Sequence, residues 1–287
     1  MRIARFAADG DPQYGVVELT EDGGKYPGTI AVLTGDPIAQ PVQLTGERRE
    51  LEGVRLLAPV IPRSKVVAVG KNYAAHAAEM GGEVPKTPLT FFKPNTSVIG
   101  PGEPIIYPTT TQHLSYEGEL AIVIGRICRE VPVDRVKDVI FGYTVANDVT
   151  ARDLQKSDGQ WSRAKGYDTF CPLGPWITTH QSLAEVANLR LTTTLDGELV
   201  QDGNTSDLVL GIPEIVAFIS SYTTLLPGDV ILTGTPEGVG AMLPGQEVTV
   251  TVEGIGSLTN IVASDRNTAS NSDADSTDAS PTDEDHA

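Results

Sequence analysis

The sequence predicts a mainly β, α+β protein: a mixed β-roll or barrel with few short helices, preceded by a small β-rich domain. Three observations carry that expectation. Apolar residues, 40% of the chain, fall in short runs separated by turn chemistry rather than in long stripes at helical spacing. Gly (29) and Pro (20) are abundant and aromatics make up only 6%, a balance suited to turns and strands. At 287 residues the chain has room for about two domains.

In order along the chain, residues 1–61 offer the short strands RIARFA, YGVVELT and TIAVLTG, with DGDPQYG and EDGG as the breaks between them. Pro59 and Pro62 mark a hinge. Residues 62–265 then supply VVAVG, PLTFF, ELAIVIG, FGYTVAND, LRLTTTL, DVILTGT and EVTVTVEG as strands. Helices are expected at Asn72 to Met80, Val133 to Val139 and Ile212 to Ser220, the last with Pro213 near its start. Residues 266–287, RNTASNSDADSTDASPTDEDHA, hold six acids and no large apolar side chain, so they read as a disordered acidic tail.

Charge and cysteine content remove several classes of function. The net charge is −17, from 38 acids against 21 Lys and Arg, which excludes the basic face that nucleic acid requires. Two cysteines, Cys128 and Cys171, support neither a disulfide scaffold nor a Cys-rich metal site. No apolar run has the length of a membrane span, and MRIARFAADGD lacks the apolar core of a signal peptide. The expectation is a soluble cytoplasmic protein.

Three constellations carry chemistry. Glu117 and Glu119 head ELAIVIG at i and i+2, so on a strand they project to one face and repel unless a cation intervenes. Asp148 closes FGYTVAN and opens a polar run with Arg152, Asp153 and Gln155. If the two strand ends adjoin, three carboxylates converge without Cys or His, a donor set for Mg²⁺ or Mn²⁺ rather than zinc. Asp153 has a simpler role as a partner of Arg152 or of the backbone. The second constellation is His76 and Glu79 in NYAAHAAEMGG, at i and i+3 on a helix capped by Asn72 and stopped by Gly81. There Glu79 can orient His76 as a base, and so short a helix suits a lid. The third is Lys165 in SRAKGYDTFCP, a cation that would meet an oxyanion or a substrate carboxylate near a metal. His113 and His180 read as structural or solvated. The turn Gly234 to Gly240 fits no nucleotide motif, although its backbone N–H groups can bind a carboxylate.

These residues also carry a resemblance. GKNYAAHAAEMG, FFKPNTSVIGPG, YEGELAIVIG, GYTVANDVTARDLQ, AKGYDTFCPLGPW, LLPGDVILTGTPEGVG and GIGSLTN occur in this order. Together, over residues of about 60 to 263, the chain resembles the fumarylacetoacetate hydrolase family, with an N-terminal domain similar to that of its shorter bacterial members. The resemblance implies that Glu117, Glu119 and Asp148 hold Mg²⁺ or Mn²⁺, that His76 and Glu79 activate water, and that Lys165 stabilises an enolate. It places Lys71, Tyr73, Arg152, Gln155 and Thr235 along the substrate pocket, with Lys71 where many members carry Arg. It implies a homodimer and metal-dependent C–C cleavage of a small 2-oxo acid, by acylpyruvate or fumarylpyruvate hydrolysis or by oxaloacetate decarboxylation. Isomerisation of 2-hydroxyhepta-2,4-diene-1,7-dioate and decarboxylation of 5-carboxymethyl-2-oxo-hex-3-ene-1,7-dioate stand as alternatives. A metal-binding β-protein without turnover is the reading from another class, and it would need neither the dyad nor Lys165.

Overall fold

The computed structural model describes residues 1–8, 10–19 and 28–265. The EDGG break and the 266–287 tail lie outside the described residues. Strands dominate and helices are few and short. Two sheets face one another. The larger has twelve strands, and its central run is Arg2–Ala7, Cys171–Thr178, Ile140–Asn147, Gly118–Ile124, Val230–Leu232, Val66–Gly70 and Leu89–Lys93. The smaller has five: Glu198–Asn204, Arg190–Leu195, Glu247–Val252, Gly256–Ser264 and Ile105–Tyr107.

Strand Gly118–Ile124 is buried throughout because both of its faces are covered. Leu120, Ile122 and Ile124 turn to the core shared with the second sheet, against Leu191, Val250 and Leu258. Ala121 and Val123 turn the other way, to Ala146, Leu173 and Leu232. Helix Ile212–Tyr222 closes the first core with Ile212, Ile215, Val216 and Ile219 at helical spacing.

The N-terminal strands extend the main sheet rather than forming one of their own. Arg2–Ala7 pairs antiparallel with Cys171–Thr178, setting Ile3 opposite Ile177. Cys171–Thr178 itself was not expected as a strand, since Pro172 and Pro175 argue against a central ladder. Val133–Asp138 is a 3-10 helix, one residue shorter than the helix expected there. The polar run after Asp148 forms two further short helices, Arg152–Asp158 and Ser162–Gly166, which lack the apolar periodicity that would have announced them. No helix among the described residues is long and apolar enough to cross a membrane.

Candidate active site

Strands Gly118–Ile124 and Ile140–Asn147 run antiparallel with Glu119 opposite Ala146 and Gly118 opposite Asn147. That register, continued by the bond from Asp148 N–H to the Glu117 carbonyl (2.8 Å), places Asp148 across from Glu117 on one face. Glu117, Glu119 and Asp148 are all buried, and one carboxylate oxygen of each lies within 4.8 Å of the others. Gly118 must be small because it turns to the opposite face. A Cβ there would sit 2.3 Å from Thr193 Oγ1 and 2.9 Å from Val250 Cγ1.

Three bases meet the three acids. Lys165 Nζ donates to Glu117 Oε2 (2.9 Å) and Asp148 Oδ2 (2.6 Å). Arg152 Nη1 pairs with Glu117 Oε1 at 2.6 Å and also donates to Gln155 Oε1 at 3.0 Å. Lys93, which the sequence did not single out, is fully buried and donates to Asp148 Oδ1 at 2.5 Å. Lys165 is 1% exposed, far from the surface lysine that its sequence context alone would suggest.

The acids respond unequally. Burial would push the Glu117 carboxyl up, but Lys165, Arg152 and His76 together hold it down at about 2. Glu119 lies well above the ordinary carboxylate range, raised by burial first and then by the charges of Asp148 and Glu117. Lys165 and the Gly234 N–H, which donates to Glu119 Oε2 at 2.6 Å, oppose that rise only in part. Three converging carboxylates, one of them crowded by the other two and with no His or Cys in the set, fit a hard divalent cation. The residues present therefore suit Mg²⁺ or Mn²⁺.

These groups open onto a cavity of about 590 Å³. Its wall includes Lys71, His76, Glu79, Glu117, Glu119, Arg152, Gln155, Lys165 and Thr235, so nine of the candidate residues share one space. Asp148 lies behind them. Tyr73 does not line the cavity, a correction to its place in the substrate pocket. It is extended at the start of the lid helix, bridges to Leu208 through the backbone and is buried, and its hydroxyl has no partner among the described residues. His113, which is exposed, and Trp161 also line the wall. Lys156 also reaches it. Lys71 has a φ of +57°, a strained backbone at the turn into the lid.

The lid helix is Ala74–Glu79. His76 Nδ1 lies 3.2 Å from Glu79 Oε2, as the i, i+3 spacing requires. Glu79 Oε1 accepts the Gly238 N–H at 3.0 Å. The glycine-rich turn thus does bind carboxylates, but those of Glu79 and Glu119. Asn72 is not the cap. Its side chain donates to the Leu210 and Thr233 carbonyls and accepts from Leu210 N–H, tying the start of the lid to the sheet. Asp153 takes the simpler role, accepting from Thr111 Oγ1 and from the Gln112 N–H. Gln201 was not foreseen either. It joins Gly118 N–H, Thr193 and Thr235 across 80 residues of sequence or more in the first case, where no local pattern could reveal it.

Residues 65–263 match the model of the fumarylacetoacetate (FAA) hydrolase C-terminal domain, and residues 1–59 match that of the Rv2993c-like N-terminal domain. The chain belongs to the fumarylacetoacetate hydrolase family. It is 41% identical over 218 residues to the human mitochondrial oxaloacetate tautomerase FAHD2A, covering 73% of this chain and 69% of that protein. The structure of a 5-carboxymethyl-2-hydroxymuconate delta-isomerase from Mycobacterium smegmatis superposes with a TM-score of 0.84 at 47% identity, over 92% of this chain and all of that one. Fumarylpyruvate hydrolase from Pseudomonas aeruginosa, solved with Mn²⁺ and pyruvate, gives a TM-score of 0.67 at 33% identity, over 71% of this chain and 91% of that one.

Proposed function

We propose that this chain is a Mg²⁺- or Mn²⁺-dependent enzyme that cleaves a C–C bond of a 2-oxo acid, by hydrolysis of an acylpyruvate or decarboxylation of oxaloacetate. The observation that carries this reading is a single cavity in which Glu117 and Glu119, backed by Asp148, share the wall with the His76–Glu79 pair. Cations collect there although the chain is strongly acidic, which favours an anionic substrate. Pyruvate and Mn²⁺ in the Pseudomonas hydrolase add to that support.

Glu117, Glu119 and Asp148 would hold the divalent ion, which would supply Lewis acidity toward a 2-oxo acid. Arg152, whose buried Nη2 has no partner among the described residues, would donate to a substrate carboxylate. With Nδ1 held by Glu79, His76 has Nε2 left to take a proton from water. The resulting hydroxide adds to the distal carbonyl of an acylpyruvate. The C3–C4 bond breaks, its electron pair passes to C3 of pyruvate enolate, and a carboxylic acid leaves. Lys165 balances the charge that develops on the enolate. Oxaloacetate would lose CO₂ from the same position without attack by water.

Isomerisation is the second reading, favoured by the similarity to the Mycobacterium smegmatis isomerase. It needs only proton transfer along an enolised 2-oxo acid. A panel of acylpyruvates, fumarylpyruvate, oxaloacetate and ring-cleavage dienoic acids, each with Mg²⁺ or Mn²⁺, separates the readings. Metal-dependent pyruvate release is expected. Absorbance changes on the dienoic acids without pyruvate would favour isomerisation, and no turnover on any of them would favour a binding protein. We further infer a cytoplasmic homodimer, to be checked by fractionation and by light scattering.

A further inference from the structure

The three bases of the cluster cover the four oxygens of Glu117 and Asp148, and one of them covers two. Lys93 holds Asp148 Oδ1, has a second anchor on the Val149 carbonyl at 3.3 Å, and does not line the cavity. Arg152 holds Glu117 Oε1 and is braced by Gln155. Lys165 alone among the described residues holds one oxygen on each of two acids, Glu117 Oε2 and Asp148 Oδ2. It also lines the cavity, and its Nζ lies 5.1 Å from the centre of the Phe91 ring. Moving this one side chain would free an oxygen on both Glu117 and Asp148. Glu119, which receives only the Gly234 N–H, already has one to offer.

We propose that Lys165 and the divalent cation exchange on Glu117 and Asp148. As the ion enters, the ammonium withdraws into the cavity beside the Phe91 ring, while Lys93 stays on Asp148. The exchange rests on the metal reading given above and adds an order of events to it. An ammonium that bridges two carboxylates has its charge already matched, so it offers little to a substrate oxyanion. Once displaced, it faces substrate from a water-poor wall, where a cation acts most strongly. The phenyl ring, already 5.1 Å from Nζ, remains a partner when the acids are given up. Lys165 therefore becomes a catalytic cation only in the metal-loaded enzyme.

The test is acetylation of the full-length protein by acetic anhydride, with and without saturating Mn²⁺, read lysine by lysine by peptide mass spectrometry. Mn²⁺ binding is followed independently by its paramagnetic resonance signal. Lys165 should gain several-fold in acetylation when Mn²⁺ binds, while Lys93 stays protected and Lys156 is unchanged. Bound Mn²⁺ with Lys165 still protected would overturn the exchange and leave the metal site standing. If Mn²⁺ does not bind at all, the metal reading falls and takes the exchange with it. A second arm compares Lys165→Met with Lys93→Met, each of which removes one positive charge from Asp148. The exchange requires tighter Mn²⁺ binding in Lys165→Met than in Lys93→Met, and equal affinities would reduce the effect to simple charge and overturn the proposal.

Discussion

Two sets of buried acids sit at opposite ends of the same strands, and they are built on opposite principles. Asp229 precedes strand Val230–Leu232, and its carboxylate accepts from Ser64 N–H, Ser64 Oγ, Lys65 N–H, Lys65 Nζ and Leu226 N–H at 2.7–3.2 Å. Among the described residues its hydrogen-bond partners are all donors. Gly234, two residues beyond the other end of that strand, donates to Glu119, an acid pressed against Asp148 and Glu117. The first arrangement satisfies a charge and ties Ser64 and Lys65 to the turn at Leu226. The second leaves like charges together, which folding alone would not favour. Where a buried acid meets only donors it reads as structure, and where it meets other acids it reads as a site for a cation.

The largest effect separates the two directly. Glu119→Gln keeps the volume and an acceptor for Gly234 but removes a crowded charge. Turnover should fall about 10³-fold with loss of Mn²⁺ affinity, since the Lewis acid contributes several kcal/mol to the transition state. Measured in EDTA, the melting temperature should rise rather than fall. Calorimetry showing a marked drop would mean that the acid is structural after all.

His76→Ala tests the other wall of the cavity. Attack on a distal carbonyl needs an activated water, so acylpyruvate hydrolysis should drop about 10²–10⁴-fold. Decarboxylation of oxaloacetate needs no such water and should drop much less. Glu79→Gln should fall between, because it keeps an acceptor for Gly238 but orients the imidazole less firmly. Pyruvate release from both substrates is the assay, and equal losses on the two would reassign the pair to lid closure or proton return.

Asp229→Ala is the mirror of Glu119→Gln. It strips five donors of their acceptor and should cost about 3 kcal/mol of stability, read from urea unfolding. The kcat/KM at 25 °C should stay within about twofold of the parent, because additivity holds for distant sites. A catalytic defect in a folded variant would show that the two ends of the strand are coupled.

Much of the second cluster was legible in sequence, and the reason is local. A carboxylate pair at i and i+2 and a His–Glu pair at i and i+3 follow from strand and helix periodicity. Asp148 joins them only if the two strand ends adjoin, a condition that the register meets. Lys93 was not legible, because a lysine closing an edge strand looks solvated until the register sets it against Asp148. Gln201 was hidden for the same reason, its partners lying far off in sequence, whereas the turn at Gly234 was legible as a carboxylate binder but not in its partners, Glu119 and Glu79. Asn72 misled because its side chain prefers two buried carbonyls to the helix end beside it. In the fold, the strands visible by alternation were found, whereas Cys171–Thr178 was masked by its prolines.

The smallest expected effect uses the two cysteines, one beside each cluster. Cys128 is 9% exposed, and its thiol is raised by burial and then by Asp229, with Lys65 opposing. Cys171 is wholly buried behind the acids, pushed up to about 12 by burial first, with Lys93 opposing and Asp148 and Glu119 adding to the rise. Alkylation needs the thiolate, and at pH 8 a thiol of pKa near 12 holds about 10⁻⁴ of it. Iodoacetamide at pH 8 should therefore label Cys128 first and slowly, with no loss of turnover. Cys171 should react only as the main sheet opens, at a rate that rises with urea along with global unfolding. Peptide mass spectrometry over time distinguishes the sites. Early labelling of Cys171 in native buffer would show that the catalytic end of the sheet opens on its own, and that the crowded acids loosen the fold more than the satisfied one does.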